Sequence, residues 1–391
     1  MVQISVKTKD LRNALCICSK AVVPRKRVVN PFYASYCLRV HNNGVMDVEA
    51  NHNDEFWISV PIKSCDAHLD DTADEVQEFF VCGDKIRQLV GKIGSEIVDL
   101  EFFHSQMSVS CDDFSYMIPL QEVEKSNAFA HVIVKSDSDR SVSFEVPDFK
   151  KFVANTIFCT DRSIYRPIMS GILLSLSKEH VRFVSTNAHI LSVVDVKSVK
   201  ADFDLDFVIP NAVCDVVFKT LPKVGFVSMK FFFDTAIISV SDGNGYKYEV
   251  HTKTIAGRYP NYEAILPKSE LTNVKTDKCS LLSALERLAL VSDAHKLVRF
   301  SISDDIMIMT ANDSDFDVSG TERVSLSENG FSGKGKVVIG FMHEYIRDVL
   351  KRIRTKDVVF KMIDKYKAVV VCDDGLFDDN TTYVVMPMLA D

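Results

Sequence analysis

Val298-Arg299-Phe300-Ser301-Ile302-Ser303-Asp304-Asp305-Ile306-Met307-Ile308-Met309-Thr310-Ala311-Asn312 reads as two strands folded about a turn at Ser303-Asp304-Asp305. The pattern occurs twice more upstream. Tyr36 to Val48 turns at His41-Asn42-Asn43-Gly44 and ends in Glu49-Ala50-Asn51; Gly171 to Val184 turns at Ser177-Lys178-Glu179-His180 and ends in Ser185-Thr186-Asn187. A helical pattern precedes each hairpin, just after a strand-like run, at Lys9 to Lys20, Pro147 to Phe158 and Cys279 to Ser292. A second helical pattern follows each, at Gly83 to Gly94, Pro210 to Lys223 and Met342 to Arg354. The offsets, about 125 to 140 residues, are domain-sized rather than solenoid-sized.

The sequence thus predicts three copies of one α+β domain, at 1–131, 132–266 and 267–391, with boundaries in the polar stretches near Ala130 and Pro267-Lys268-Ser269. Amphipathic runs such as Gln106-Met107-Ser108-Val109-Ser110 and Ala236 to Ser241 predict sheets that bury one face under their helices. Short turns between consecutive strands predict antiparallel pairing.

The chain has 391 residues, a net charge of -8, 47% hydrophobic and 26% charged residues, which predicts a soluble globular protein of two to three domains. Apolar runs such as Phe231 to Phe233 stop well short of the roughly 20 residues that a bilayer requires. The opening Met1-Val2-Gln3-Ile4-Ser5-Val6-Lys7 alternates like a strand and lacks signal-peptide regions, so a cytoplasmic location is expected. Ten scattered cysteines without a C-x-x-C are expected to act mostly as small buried hydrophobes, and no metal site is predicted.

Charge is unevenly placed. The six helical patterns carry 15 Lys and Arg against 7 Asp and Glu, leaving the remaining chain at -16. In the second helix of the first copy Ile86, Leu89, Val90 and Ile93 form the apolar stripe, with Lys85, Gln88 and Lys92 opposite. In the last copy Tyr345, Ile346, Val349, Leu350 and Ile353 are expected inside, and Arg347, Lys351 and Arg354 outside. Acidic runs at Asp66 to Glu78, Asp313-Asp315-Asp317 and Asp373 to Asp379 are expected in turns and edges. A basic surface shared by three copies suits the phosphates of nucleic acid without reading bases.

Chemical motifs fail on inspection. Gly330 to Lys336 has phosphate-loop spacing, but Val337 replaces the magnesium-binding hydroxyl and the segment leads into a strand. Asp313-Ser314-Asp315-Phe316-Asp317 begins like a calcium loop but has Val318 and Val324 at its Gly and Glu positions, and is read as alternation along an exposed edge. No H-E-x-x-H, G-x-S-x-G or G-x-G-x-x-G occurs, so neither catalysis nor a cofactor is expected. A magnesium-dependent nucleic-acid enzyme and an interaction protein without a DNA role are the competing readings.

Three stretches carry a family resemblance. Ser185 to Leu191 resembles T-D-G-H-R-L; Gly257-Arg258-Tyr259-Pro260-Asn261-Tyr262 with Leu266-Pro267-Lys268 resembles G-R-F-P-x-Y and L-P-K; and Tyr383-Val384-Val385-Met386-Pro387-Met388 resembles the C-terminal tail of bacterial DNA polymerase III beta subunits, the sliding-clamp family. Arg166-Pro167 with Gly171, and Ile339-Gly340-Phe341 through Tyr345, fall in register with it. The resemblance implies a head-to-tail homodimeric ring around duplex DNA, with sheets outside and twelve helices inside, that tethers the polymerase III alpha subunit, the clamp loader and other proteins bearing clamp-binding motifs.

It also implies site residues. A partner-peptide pocket would comprise Met169, Thr186, Asn187, Ala188, His189, Ile190, Leu191, Pro260, Ile265, Tyr345, Val384, Val385, Met386, Pro387 and Met388. DNA would be faced by Lys9, Arg12, Lys20, Arg25, Lys26, Arg27, Lys85, Arg87, Lys92, Lys150, Lys151, Arg166, Lys219, Lys223, Arg347, Lys351 and Arg354. Phe114 and Tyr116 would meet Leu290 and Val291 of a second copy. Departures from the family pattern are Ala188 and Ile190 for Gly and Arg, Leu389-Ala390-Asp391 at the terminus, and Asp112-Asp113 where the family often has Arg; if Asp313, Asp315 and Asp317 lie near that edge, like charges would oppose ring closure.

Overall fold

The computed structural model describes residues 2–28, 30–52, 55–68, 76–122, 139–163, 165–245, 247–266, 271–333, 335–375 and 380–389. The expected boundaries at Ala130 and at Pro267-Lys268-Ser269 lie outside these residues, as do Lys334, Ala390, Asp391 and parts of the acidic runs at 66–78 and 373–379.

One order of elements recurs three times. It begins with β1 (Val2–Lys7), α1 (Thr8–Cys18), β2 (Ser35–His41), β3 (Val45–His52), β4 (Phe56–His68), β5 (Val76–Cys82), α2 (Gly83–Lys92), β6 (Ile97–Phe102), β7 (Gln106–Cys111) and β8 (Phe114–Pro119). Then follow β9 (Ser141–Glu145), α3 (Val146–Thr156), β10 (Gly171–Leu176), β11 (Val181–Thr186), β12 (Ile190–Asp195), β13 (Leu205–Pro210), α4 (Asn211–Thr220), β14 (Phe226–Phe231), β15 (Thr235–Ser241) and β16 (Lys247–Lys253). Last come β17 (Thr272–Asp277), α5 (Lys278–Leu288), β18 (Leu297–Ser303), β19 (Ile306–Asp313), β20 (Val318–Phe331), β21 (Val337–Met342), α6 (His343–Leu350), β22 (Asp357–Met362), β23 (Val369–Asp373) and β24 (Thr381–Val385).

Two compact units cut across this order: Met1–Lys150 with Ala212–Thr254, and Lys151–Asn211 with Ile255–Asp391. Each holds a twelve-stranded antiparallel sheet. The first ends in β8, in β9 and, on a branch from β4 through β3 and β2, in β5; the second ends in β13 and β21, and in each a strand pairing joins successive repeats: β4 with β16, and β12 with β24.

Alternation builds the faces. In β15 Ala236, Ile238 and Val240 are buried and the residues between them are not, so one face of the sheet is covered and the other polar. On α2, Ile86 and Val90 are fully buried while Lys85, Arg87 and Lys92 are exposed. Asp277 caps α5 by accepting the Ser280 N–H at 2.7 Å, a bond that holds its carboxyl below the usual range. The last carbonyls of α3 turn toward the sheet, where Ser192 Oγ donates to Asn155 O at 2.7 Å and Ser185 Oγ to Thr156 O. Gly171 permits the tight β10–β13 contact, since a Cβ there would stand 2.5 Å from Ile209 O.

The helices are shorter than the periodicity suggested, each ending two to four residues early, so Lys20, Lys223, Lys351 and Arg354 lie beyond the helix ends. Within the helices 11 cations face 7 carboxylates, a smaller excess than expected; the other cations stand where helix carbonyls concentrate negative potential. Only four of ten cysteines are buried, at 18, 37, 159 and 214. Asp313 ends β19, and residues 314–317 form the turn into β20 rather than an alternating edge. Asp317 is left-handed there, at φ 54°.

Register also corrects the alignment of the repeats. The ladder Phe79, Leu38, Val48, Val60 matches Phe207, Leu174, Phe183, Val194 and Ile339, Phe300, Met309, Glu322, each starting four residues before a helix. Ala50 therefore corresponds to Ser185 and Ala311, and Thr186 faces the other side of the sheet. The expected match to Thr186 was one residue out, which in a strand exchanges the faces.

On the face of the first sheet away from its helices Glu49 is 3% exposed, opposite Ser59 of β4, which in turn stands opposite Glu249 of β16. Burial pushes the Glu49 carboxyl up to about 7, although Arg39 lies 3.5 Å away. Glu249 is instead held down to about 2, chiefly by its hydrogen bond with His251 and then by Lys247. A carboxyl whose pKa is raised on folding stabilises the fold at low pH and loses that contribution as pH rises from about 4.5 through 7. Glu49→Gln should therefore raise the melting temperature by a few degrees at pH 8 and by much less at pH 5; an equal change at both pH values would remove Glu49 as the cause.

Candidate functional site

β11 and β12 join through a loop that its own side chains fix. The Thr186 hydroxyl accepts the Ala188 N–H at 3.1 Å, and Asn187 Oδ1 accepts the N–H groups of His189 and Ile190, both at 2.9 Å. Ala188 is held at φ 73°, a left-handed conformation that costs a residue with a Cβ about 1 kcal/mol. The family's Gly would meet no such cost here. The His189 ring stacks on Tyr345 of α6 with centroids 5.7 Å apart and planes at 16°. The Tyr345 hydroxyl is raised by burial and partly offset by a hydrogen bond with Asn187. Met386 N–H donates to His189 O at 2.8 Å and Met388 N–H to Gly340 O at 2.8 Å, pinning the tail to loop and sheet edge.

Beside this loop lies an apolar cluster on the sheet face opposite the helices. Leu173, Val184, Leu191, Val193, Val208 and Val384 are buried there, with Ile168, Tyr259, Leu266 and Met386 packed against them. Of the expected pocket residues, Leu191, Val384 and Met386 meet here, and Thr186 shares their face. Met169, Pro260, Pro387 and Met388 are half-buried, and Ile265 is 42% exposed. Ile190 and Val385 do not join them. They pair with each other and point into the helix-covered core with Leu281 and Ile346, because neighbours in a strand face opposite ways.

Leu173, Val184, Val193, Val208, Tyr259 and Tyr262 were missed. The signal was present: Ile190 to Val194 of β12 is buried throughout, the continuous pattern of a strand covered on both faces.

The expected DNA-facing residues are exposed except Lys151 and Arg347, which are half-buried. Several are engaged within the chain. Arg12 donates to Ile93 O at 2.6 Å, Lys150 lies 5.6 Å from the Phe218 ring centre, Lys219 pairs with Asp215, and Arg347 with Asp348 at 3.2 Å. Arg25, Lys26 and Arg27 form an exposed 3-10 turn; Arg25 and Lys85 line one cleft of about 320 Å³. Arg166 reaches Asn187 O, in the loop beside the apolar cluster, at 3.4 Å. Tyr116 on edge strand β8 is 51% exposed and Phe114 half-buried; Leu290 is 85% exposed and Val291 packs on the core.

Comparison with known proteins agrees with this architecture. Residues 144–261 match the family model for the central domain of the DNA polymerase III beta subunit, and 263–389 the one for its C-terminal domain. Proteins called beta sliding clamp are similar in sequence: that of Chlamydia muridarum is 25% identical over 61% of this chain and 62% of its own length, and that of Vibrio cholerae 26% identical over 64% and 66%. The chain thus spans just under two thirds of the length of these relatives. Among solved structures, a DNA polymerase sliding clamp from Pseudomonas aeruginosa superposes with a TM-score of 0.86 at 19% identity, and a DNA polymerase III beta subunit from Thermotoga maritima with 0.85 at 18%, each over the full length of both chains. The fold is that of a DNA clamp: antiparallel sheets with few helices. With two domain models matched in order over more than half its length, the chain belongs to the DNA polymerase III beta subunit family.

Proposed function

We propose that the protein is a DNA sliding clamp: a head-to-tail homodimeric ring, without catalysis of its own, that encircles duplex DNA in the cytoplasm and tethers the polymerase alpha subunit and other motif-bearing partners. Its three repeats act as domains 1–131, 132–266 and 267–391. The observation that carries this reading is a repeated register. β4–β16 sets Ile58 opposite Val250, and β12–β24 sets Ser192 opposite Tyr383. Ile58 and Ser192 stand two residues before Val60 and Val194 of the matched ladders. Val250 and Tyr383 hold the same place in a second ladder, which runs from Val142 through Met229 and Ile238, or from Val274 through Phe360 and Val371.

The corresponding residues left over are Gly320 on β20 and Tyr116 on β8, the fourth strand of the last repeat and the final strand of the first. Pairing them between copies extends the same rule, and a head-to-tail contact that closes gives a ring. Tyr116 then faces Gly320, where an added Cβ would stand 2.8 Å from Val291 Cγ2, so the glycine leaves room for the ring beside Leu290 and Val291. Asp113 comes opposite Arg323, and the acidic turn at 314–317 lies past the other end of β8, so the expected like-charge conflict does not arise.

Exposed lysines and arginines at helices and adjoining turns would hold the duplex loosely within a Debye length of about 8 Å, so that retention is topological. Tested on nicked circular DNA with a competent loader, the protein should stay on circles and leave when they are linearised. Retention on the linear product would overturn the reading. In oxidised Met117→Cys/Ser319→Cys protein a covalent dimer of about twice 44.0 kDa should form, and neither single variant should give it; a monomer would refute the register. Met386→Ala with Met388→Ala should weaken polymerase-derived peptides about tenfold or more and leave the dimer intact, whereas unchanged affinity would exclude both side chains from the pocket.

A further inference from the structure

One cavity in the second unit is not absorbed by this function. β12 stops at Asp195, whereas β4 and β20 run 13 and 14 residues. Where the strand ends, a cleft of about 390 Å³ opens between the Ser177 to Arg182 hairpin, the segment from Asp195 to Lys200, and Asn380. Lys178, Lys197 and Lys200 line it and are exposed. Among the described residues its carboxylates are Glu179, exposed on the turn, and Asp195, which is bonded to Arg182. Inside, the His180 ring lies 3.1 Å from Ser177 Oγ and 3.4 Å from Ser175 Oγ.

The cleft borders the apolar cluster. Val184 and Val193 are directly paired in that cluster, and the next pair on the same face is Arg182 with Asp195. That step is about 7 Å along the strand. Arg182 also donates to Glu263 at 2.7 Å and to the hydroxyl of Tyr262, itself part of the cluster. An extended segment seated on the apolar cluster therefore needs only a few more residues to enter the cationic cleft.

We propose that this cleft reads the charge flanking a docked segment and selects partners whose apolar anchor carries an acidic extension, of aspartates, glutamates or a phosphorylated residue. The inference rests on the apolar cluster being the partner pocket. Charge complementarity commits the occupant: exposed Lys178 and Lys200 flank the site, the Arg182 charge is already met by Asp195 and Glu263, and the cluster itself supplies mainly apolar contact.

The test uses the full chain and three fluorescent peptides: a neutral decapeptide with two leucines and a phenylalanine, and the same peptide extended by four glutamates at its N- or C-terminus. At low salt one extended form should bind about five- to tenfold tighter than the neutral one. That gain should vanish at 0.5 M salt (~4 Å Debye length) and in the Lys178→Glu/Lys197→Glu/Lys200→Glu variant, which should bind the neutral peptide as wild type does. If the neutral peptide binds and neither extension helps, or the gain survives in the variant, the cleft has no such role. If no peptide binds, the pocket reading itself fails, and the cleft's role with it.

Discussion

Backbone hydrogen bonding between the fourth strand of one repeat and the last strand of the next is the constraint on which the molecule depends. It occurs within the chain at β4–β16 and β12–β24, in one register, and it turns three short repeats into two continuous sheets. Because the period of a strand is two residues, a slip by one at either joint would turn a helix-covered row outward. The joints therefore fix which side chains are core and which are available for binding.

What the joints present on the opposite face differs. At β4–β16 Trp57 stacks on His251 with centroids 4.6 Å apart, and Phe32, Phe80 and Cys37 fill the neighbouring surface beside buried Glu49. At β12–β24 the corresponding surface is aliphatic, with Leu191 and Val384 backed by Val184 and Leu173. Large rings and an internal ion pair lie at the first; smaller aliphatic side chains and the thioether of Met386 lie at the second, where the proposed pocket would form.

The loop from Thr186 to Ile190 bears two of the departures from the family pattern, and the geometry says what they do. Ala188 keeps the left-handed turn at some cost because Thr186 and Asn187 over-determine it through side-chain bonds to three successive amides. Ile190 sits in the core rather than in the apolar cluster of Leu191 and Val384, so an Ile in place of the family's Arg removes a charge without adding to that cluster. Charge returns beyond the strand's far end, at Lys178, Lys197 and Lys200.

The sequence alone determined the threefold order of strands and helices, the antiparallel pairing and the apolar stripes of α2 and α6, because each follows from local periodicity. It also held the family motifs, since these are letters in a row. Only the tertiary structure decided that Thr186 rather than Ser185 shares a face with Leu191, that Ile190 and Val385 are core, and that Arg166 reaches the Asn187 carbonyl. Those facts depend on register and on which strand lies next to which. Both are set by hydrogen bonds between segments nearly two hundred residues apart, as Leu191 and Val384 are, which leave no mark in the local pattern.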